Sequence, residues 1–163
     1  MGKIVRQIAP IFLIIVFLFA GISFAQKTIR GKVIAIADEN TIIVLQNNRQ
    51  YKIRLYGIDT PEKRQAFGQK AKKFASDMAM NQQVKVVVYD IDRYGRVVGM
   101  VYIGQRCLNE ALIQNGFAWV YRRYCKESFC SKWLGYEQEA RANRIGLWSY
   151  DNPIPPWEFR KKK

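Results

Sequence analysis

Three short runs of strand-forming residues follow one another closely between residues 31 and 56. The runs "GKVIAIA" (31–37) and "TIIVL" (41–45) are rich in β-branched residues and are separated by the turn "DEN". In "YKIRLY" (51–56), apolar and polar residues alternate, which is typical of a strand with one buried face. Asn47 and Asn48 precede this run, and asparagine tolerates the positive φ of a tight hairpin. The region therefore predicts a three-stranded meander.

The rest of the chain adds two predicted strands and three predicted helices. The strands are "VKVVVYD" (84–90) and "RVVGMVYI" (96–103). Helical periodicity begins at Lys63, and three apolar stripes follow: Phe67, Ala71, Phe74, Ala75 and Met78; Leu108, Ala111 and Leu112; Trp133, Tyr136 and Ala140. Five short strands with a helix between the third and fourth predict an α+β fold, a five-stranded β-barrel of the OB type with three helices.

The N-terminus has the pattern of an export signal. Lys3 and Arg6 precede an apolar segment over residues 11–22, and small residues at Ser23 and Ala25 suit a signal peptidase. We therefore predict a signal peptide over 1–25, a folded domain over 26–148, and a proline-rich, basic and extended tail over 149–163. The apolar segment is also nearly long enough for an uncleaved membrane anchor.

Charge and the absence of histidine limit the possible functions. Residues 1–25 hold two basic and no acidic side chains, so the remainder keeps 25 of the 27 Lys and Arg residues against 13 Asp and Glu, a net charge of +12. Such an excess favours polyanions, most commonly nucleic acid, although it also fits a well-solvated surface. With no histidine in the chain, Ser-His-Asp and Cys-His catalysis and histidine-ligated zinc are excluded.

The three cysteines lack the paired spacing of a zinc site. In an exported protein, Cys125 and Cys130 are close enough in sequence to close a short disulfide loop, with Cys107 left as a small core residue. The sequence leaves the pairing open.

The stretch "RLYGIDTPEKR" (54–64) places Asp59 and Glu62 just past a strand that carries Arg54. One interpretation is structural: Thr60 as an N-cap, Pro61 at the first helical position, and Glu62 near the positive end of a helix. That interpretation does not account for Arg54, or for the similar loop "DRYGR" (92–96).

Together these residues suit phosphodiester hydrolysis. Two arginines can bind phosphate oxygens with forked hydrogen bonds, and a divalent cation can neutralise further charge. A carboxylate can deprotonate the attacking water, and oxygen ligands suit a hard cation such as calcium. The sequence supplies each part without histidine.

In order and spacing, several motifs resemble the staphylococcal-nuclease-like (thermonuclease) family over roughly residues 28–148: "RLYGIDTPE", "DRYGR", "LNEALIQNGFAWVYRRY" and "GLW". The resemblance implies an OB-fold barrel with three helices, and calcium-dependent cleavage of DNA and RNA that leaves 3′-phosphate ends. It implies that Arg54 and Arg96 hold the phosphate and that Glu62 is the general base or orients water. Asp59 would be a calcium ligand, with the main-chain carbonyl of Thr60 beside it.

One turn departs from the family pattern. Where the family has Asp-Gly-Asp-Thr, this chain has Asp38-Glu39-Asn40-Thr41, so Asn40 stands at a metal-ligand position. An amide oxygen can still bind calcium, but one negative charge is lost and weaker binding is expected. Three alternatives remain open: compensation by Asp38 or Glu39, loss of efficient catalysis, or Asn40 as a simple turn residue.

The segment "WVYRRYCK" (119–126) interleaves aromatic and basic residues, as single-strand binding requires. The candidate nucleotide contacts are Tyr94, Tyr121, Tyr124 and Arg93. The alternative places Trp119 and Val120 in the core, with Arg122 and Arg123 merely solvated.

The favoured function is an exported, monomeric, metal-dependent nuclease that prefers single strands and has no stable membrane association once the signal is removed. The alternatives are a non-catalytic nucleic-acid-binding module and a basic protein that adheres to polyanions. Two acidic residues beside the arginines favour the enzyme, because carboxylates in a groove that only binds nucleic acid would repel phosphate.

Overall fold

The computed structural model describes residues 26–162, so the predicted signal peptide lies outside the described residues. The strands are β1 (Thr28–Asp38), β2 (Thr41–Gln46), β3 (Arg49–Leu55), β4 (Ile58–Asp59), β5 (Gln83–Ile91), β6 (Val97–Ile103), β7 (Arg106–Cys107) and β8 (Trp119–Val120). The helices are α1 (Gly68–Ala79), α2 (Leu108–Gln114), α3 (Cys130–Ala142) and α4 (Pro156–Phe159), with 3-10 turns at Gly146–Ser149 and Arg160–Lys162. No helix within residues 26–162 is both long and apolar enough to cross a membrane.

The strand order confirms the predicted barrel. β1 pairs with β2 and β5, β2 pairs with β3, and β5 pairs with β6, all antiparallel. A parallel pairing of β3 with β6 closes the five strands into a barrel. Helix α1 lies between the third and fourth barrel strands, as the OB plan requires. The hairpin between β2 and β3 turns through Asn47 and Asn48, both at positive φ as predicted.

Helix α1 begins later than the periodicity predicted. It starts at Gly68 rather than Lys63, and Phe67 takes a left-handed conformation with φ of 66°. A Cβ on residue 68 would collide with the main-chain carbonyl of Glu62, so the loop folds tightly against the helix start and glycine is required there. The interpretation of Thr60, Pro61 and Glu62 as the first turn of a helix is therefore wrong.

The prediction of an extended tail is also wrong. Residues after Tyr150 fold back onto the domain, and Pro156–Phe159 form a short helix followed by a 3-10 turn. Trp157 packs against a small apolar cluster formed by Trp119, Ala140, Leu147 and Trp148. Burial of these aromatic rings holds the tail against the domain.

The main core fills the barrel and continues beneath α2 and α3. Its largest fully buried side chain is that of Trp133, with Ile42, Ile53, Leu55 and Ile58 packed in the same cluster. Trp133, on the apolar stripe predicted for the third helix, is thus a core residue, whereas Trp148 belongs to the smaller cluster that Trp157 packs against.

Glu137, on α3, holds the short strand β8 in place through a hydrogen bond to its main chain. Its Oε2 accepts a 2.6 Å hydrogen bond from the Val120 main-chain N–H, and its Oε1 pairs with Arg141 at 2.7 Å. The ion pair between Glu137 and Arg141, four residues apart on α3, therefore supports a buried carboxylate that positions β8, and β8 in turn pairs with β4, the strand that carries Asp59.

Asn109 ties the barrel to the chain that leaves β3. Its side chain is fully buried, accepts a hydrogen bond from the Val101 N–H at 3.1 Å, and donates to the Tyr56 carbonyl at 3.0 Å. Asn109→Leu keeps the volume but leaves both main-chain groups without this partner. We expect the free energy of unfolding to fall by roughly 2–6 kcal/mol, from about 1–3 kcal/mol for each of the two buried unsatisfied groups.

Urea denaturation followed by circular dichroism measures this change. The control is Asn152→Leu, at an exposed position outside the barrel, for which a change within about 0.5 kcal/mol is expected. Equal free energies of unfolding for the two variants would show that the hydrogen bonds of Asn109 do not stabilise the fold.

The cysteines adopt the arrangement that the sequence left open. Cys125 and Cys130 form a disulfide, and Cys107 is a buried free thiol. Burial raises the pKa of the Cys107 thiol to about 11, so almost none of it is the reactive thiolate at pH 8.

We therefore expect no reaction of the folded protein with Ellman's reagent at pH 8. Unfolding without a reductant should expose one thiol per chain, and unfolding after reduction should expose three. Three thiols in the unreduced, unfolded chain would contradict the disulfide, and a fast reaction of the folded protein would contradict the burial of Cys107.

Candidate active site

Arg54 and Asp59 form the floor of the candidate site. Asp59 ends β4 and is fully buried, and Arg54 lies near the end of β3. The terminal nitrogens of Arg54 donate to the carbonyls of Leu55 at 2.8 Å and Ile58 at 3.0 Å, and to Oδ1 of Asp59 at 3.1 Å. The guanidinium thus holds the turn between β3 and β4 and orients the carboxylate.

The first hairpin turn is tied to this floor through Asn40. Its Nδ2 donates to Oδ1 of Asp59 at 3.2 Å, and its Oδ1 accepts from the Thr60 N–H at 3.0 Å. Because a main-chain N–H can only donate, the amide orientation follows from this network. Asp38 supports the turn by accepting from the Asn40 N–H at 2.8 Å.

Asn40 therefore lies beside Asp59, as the family pattern implied, but its oxygen already serves Thr60. In this arrangement it clamps two loops together. Its role as a metal ligand, like those of Asp59 and the Thr60 carbonyl, stays a prediction.

Glu62 is placed by a compact loop between β4 and α1. Its main-chain N–H donates to the Gln65 side chain at 2.8 Å, and its carbonyl accepts from the Gln65 N–H at 2.7 Å. The Glu62 carboxylate is held partly exposed, with 28% of its side chain accessible, and faces the same groove as Asp59. A carboxylate in this position is accessible to water.

Arg96 enters the groove from the "DRYGR" turn. Gly95 provides the positive φ of 75° that closes the turn, and Nε of Arg96 pairs with Oδ2 of Asp92 at 2.7 Å. Partial burial acts to raise the pKa of Asp92, but hydrogen bonds from Arg96 and from the Tyr94 N–H outweigh it and leave the pKa lowered. The second contact of Arg96, to the Thr41 hydroxyl, is long at 3.5 Å.

Predicted nucleotide-contact residues line the rim. The exposed fraction is 69% for Tyr94 and 55% for Tyr124, whereas Tyr121 is half-buried. Arg93 donates to the Tyr94 hydroxyl at 2.7 Å, and Tyr121 meets Tyr124 edge to face with centroids 4.8 Å apart.

Nine of the ten predicted site residues line one groove of about 930 Å³: Asn40, Arg54, Asp59, Glu62, Arg93, Tyr94, Arg96, Tyr121 and Tyr124. Thr60, the tenth, is fully buried next to Asp59, and its hydroxyl has no hydrogen-bond partner. Trp119 and Val120 are buried and Arg122 and Arg123 are exposed, as the alternative interpretation of that segment predicted.

The sequence interpretation missed Arg160. This tail residue donates from Nη2 to Oδ2 of Asp59 and from Nη1 to Oε1 of Glu62, both at 2.7 Å. Burial acts to lower the pKa of its guanidinium, but the two carboxylates outweigh this and raise the pKa. The only signal in the sequence was the basic composition of "FRKKK" (159–163), which does not indicate where the segment folds.

Comparison with known proteins identifies the family to which the chain belongs. A profile described as staphylococcal nuclease homologue matches residues 52–150, which include the loops of Asp59, Glu62 and Arg96. The chain belongs to the staphylococcal nuclease family.

Relatives within the family cover most of the chain. It is 41% identical to a micrococcal nuclease of Shigella flexneri over 84% of this chain and 83% of that protein. It is 35% identical to an uncharacterized endonuclease of Haemophilus influenzae over 97% of this chain and 87% of that protein. A staphylococcal-like nuclease of Arabidopsis thaliana is 40% identical over 78% of this chain, which spans 40% of that longer protein.

The donor set of this member of the staphylococcal nuclease family fits one hard cation. Burial raises the pKa of Asp59, and the hydrogen bond from Arg160 and the charge of Arg54 oppose that rise. Asp59 and Glu62 already hold one positive group between them, and carboxylate oxygens are the ligands that calcium prefers. Among residues 26–162, no three His, Cys, Asp or Glu side chains converge on a metal position, so main-chain oxygens or water would complete the shell.

Proposed function

We propose that this protein is a nuclease that hydrolyses phosphodiester bonds of DNA and RNA with the help of a divalent cation, calcium by family resemblance. The observation that carries the proposal is the convergence of two carboxylates, Asp59 and Glu62, with two guanidinium groups, Arg54 and Arg96, on one groove. The two carboxylates repel phosphate and so weaken simple binding of a polyanion. In hydrolysis they have a use, because they can accept a proton from water and bind a cation.

The proposed reaction divides its tasks among these four residues. Glu62 accepts the proton of a water molecule that adds to phosphorus while the P–O5′ bond breaks, which leaves a 3′-phosphate; the departing 5′ oxygen takes up a proton from solvent. Arg96 and Arg54 stabilise the negative charge that builds on the phosphate oxygens. Asp59 and Glu62 would hold the cation, which would supply further charge neutralisation.

The rim supports a preference for single strands. Tyr94 and Tyr124 expose their rings beside arginines, with the Arg93 and Arg123 guanidinium groups 4.8 Å and 5.6 Å from the respective ring centroids. Unpaired bases can stack on such rings, whereas bases within a duplex are already stacked on each other.

We also propose that the protein acts outside the cytoplasm. The export pattern in residues 1–25 and the Cys125–Cys130 disulfide support this, because disulfides persist mainly in oxidising compartments.

A non-catalytic nucleic-acid-binding module is the second candidate. The observation in its favour is that the oxygens of Asp59 and the Oδ1 of Asn40 already have protein partners. Such a module would need only the arginines of the groove and the aromatic rim.

An assay of residues 26–163 on end-labelled single-stranded DNA, RNA and duplex DNA separates the two candidates. We expect cleavage with calcium and none with a chelator, faster cleavage of single strands than of stable duplex, and 3′-phosphate products. Binding without cleavage in calcium, magnesium and manganese would support the non-catalytic module. Cleavage of duplex at an equal or higher rate would remove the stacking argument.

A further inference from the structure

The C-terminal strap, residues 153–162, packs beside the groove and places the side chain of Arg160 in the groove lining. Gln65, in the loop that carries Glu62, donates to the Ile154 carbonyl at 2.9 Å. Pro156, at the start of α4, is buried. The strap is therefore packed on the same loop that positions the proposed general base.

Arg160 brings the strap into contact with both acidic groups of the site. One guanidinium bridges Oδ2 of Asp59 and Oε1 of Glu62, with 2.7 Å to each oxygen. The other oxygen of Asp59 is already bound by Arg54 and Asn40. Both carboxylate oxygens of Asp59 therefore accept hydrogen bonds from the protein. Oδ2 becomes free to bind a cation only after Arg160 leaves.

Trp157 covers the second part of the site. Its indole lies parallel to the Tyr121 ring, with an interplanar angle of 6° and centroids 4.9 Å apart, which is the geometry expected of a stacked base. The edge of the indole also meets Trp119, with centroids 5.7 Å apart. One face of Tyr121 is thereby occupied by the protein itself.

We propose that the strap is an internal inhibitor: Arg160 holds the place of the divalent cation, Trp157 holds the place of a nucleotide base, and both are displaced when cation and single-stranded nucleic acid bind. This inference rests on the proposed function, because it assigns a cation and a base to the site. The two contacts are three residues apart on one short segment, so displacement of one loosens the other.

Charge explains why the exchange is possible. Arg160 brings one positive charge to the two carboxylates, in addition to that of Arg54 on Asp59, and a divalent cation in place of Arg160 brings two. Before that exchange, the site can bind a cation only in the fraction of molecules whose strap is open. The apparent dissociation constant for the cation therefore equals the intrinsic constant divided by that fraction.

Calorimetric titration of residues 26–163 with calcium, without nucleic acid, tests the inference directly. If the strap is open in about one molecule in ten, Arg160→Ala should lower the apparent dissociation constant roughly tenfold. Lys161→Ala is the matched control, because it removes the same charge from an exposed neighbour in the strap. Its dissociation constant should equal that of the wild type.

A second variant covers the case in which Arg160→Ala does not fold. Arg160→Gln keeps a hydrogen-bond donor but removes the charge, and should also tighten calcium binding, by a smaller factor. Thermal denaturation of each variant establishes that it is folded before the titration.

The strap also predicts an optical signal. Calcium should change the tryptophan fluorescence of the wild type, because Trp157 leaves Tyr121, and Trp157→Phe should remove most of that change. An unchanged spectrum at saturating calcium would overturn the displacement of Trp157.

The outcomes separate this inference from the proposed function. If the wild type and Arg160→Ala bind calcium equally and both cleave DNA, the strap is not an inhibitor and the nuclease proposal stands. If calcium affinity is equal but the variant binds single-stranded DNA more weakly, Arg160 is a substrate contact and the inhibitor is overturned. If neither protein binds a divalent cation nor cleaves, both proposals fail.

Discussion

Glu62→Gln is expected to lower the turnover of single-stranded DNA by roughly 10²–10⁴-fold, the contribution typical of a general base. Glutamine keeps the size and polarity of the side chain but cannot take a proton from water. Because Glu62 is partly exposed, and its loop is held by main-chain bonds to Gln65, the fold should not depend on its carboxylate.

The measurement compares initial rates at saturating calcium, with thermal denaturation as the test of folding. Glu139→Gln on the exposed face of α3 is the control and should keep the wild-type rate. If Glu62→Gln retains more than about a tenth of wild-type turnover, another group must take the proton.

Substitution of Arg96 or Arg54 is expected to have the second large effect on turnover, and the two variants should differ in stability because the two side chains differ in burial. Arg96→Ala should lower turnover by roughly 10²–10³-fold, the usual cost of removing one group that stabilises charge in the transition state. Its ion pair with Asp92 lies at the rim, where the side chains are 28% and 19% exposed, so its loss should change stability little.

Arg54→Ala should abolish activity and also weaken the fold. Arg54 donates to two carbonyls and to the buried carboxylate of Asp59, and burial lowers the pKa of its guanidinium while Asp59 opposes that change. Removing one partner of a buried ion pair costs roughly 3–5 kcal/mol.

Urea denaturation and cleavage rates on the same preparations distinguish the two roles. The expected pattern is loss of rate alone for Arg96→Ala and loss of rate and stability for Arg54→Ala. Equal stability losses in the two variants would contradict the difference in burial.

Local patterns predicted the barrel well. Alternation in 51–56, β-branched runs in 31–45 and paired asparagines at a hairpin are each determined by neighbours in sequence, so they can be recognised without the fold. The same holds for the "DRYGR" turn, where one glycine at positive φ and one aspartate define the loop.

The two errors arose where tertiary contacts override the preference of the local residue types. Thr60-Pro61-Glu62 has the residue types of a helix start, but these residues form a loop that packs tightly against Gly68. The position of the tail depends on Arg160 meeting Asp59, 101 residues earlier in the chain, and on Trp157 meeting Tyr121. No periodicity within residues 149–163 carries that information.

The parallel pairing that closes the barrel has a consequence for the time course of refolding. It sets Arg54 of β3 opposite Val98 of β6, two residues after Arg96. Bringing together segments so far apart in the chain is a slow step in folding, because the loop between them loses entropy before any contact compensates for it. A chain with all its hairpins and helices but an open barrel would keep the two phosphate-binding arginines apart. In a refolding experiment, cleavage activity should therefore return with the slowest structural phase, after most of the helical signal has recovered.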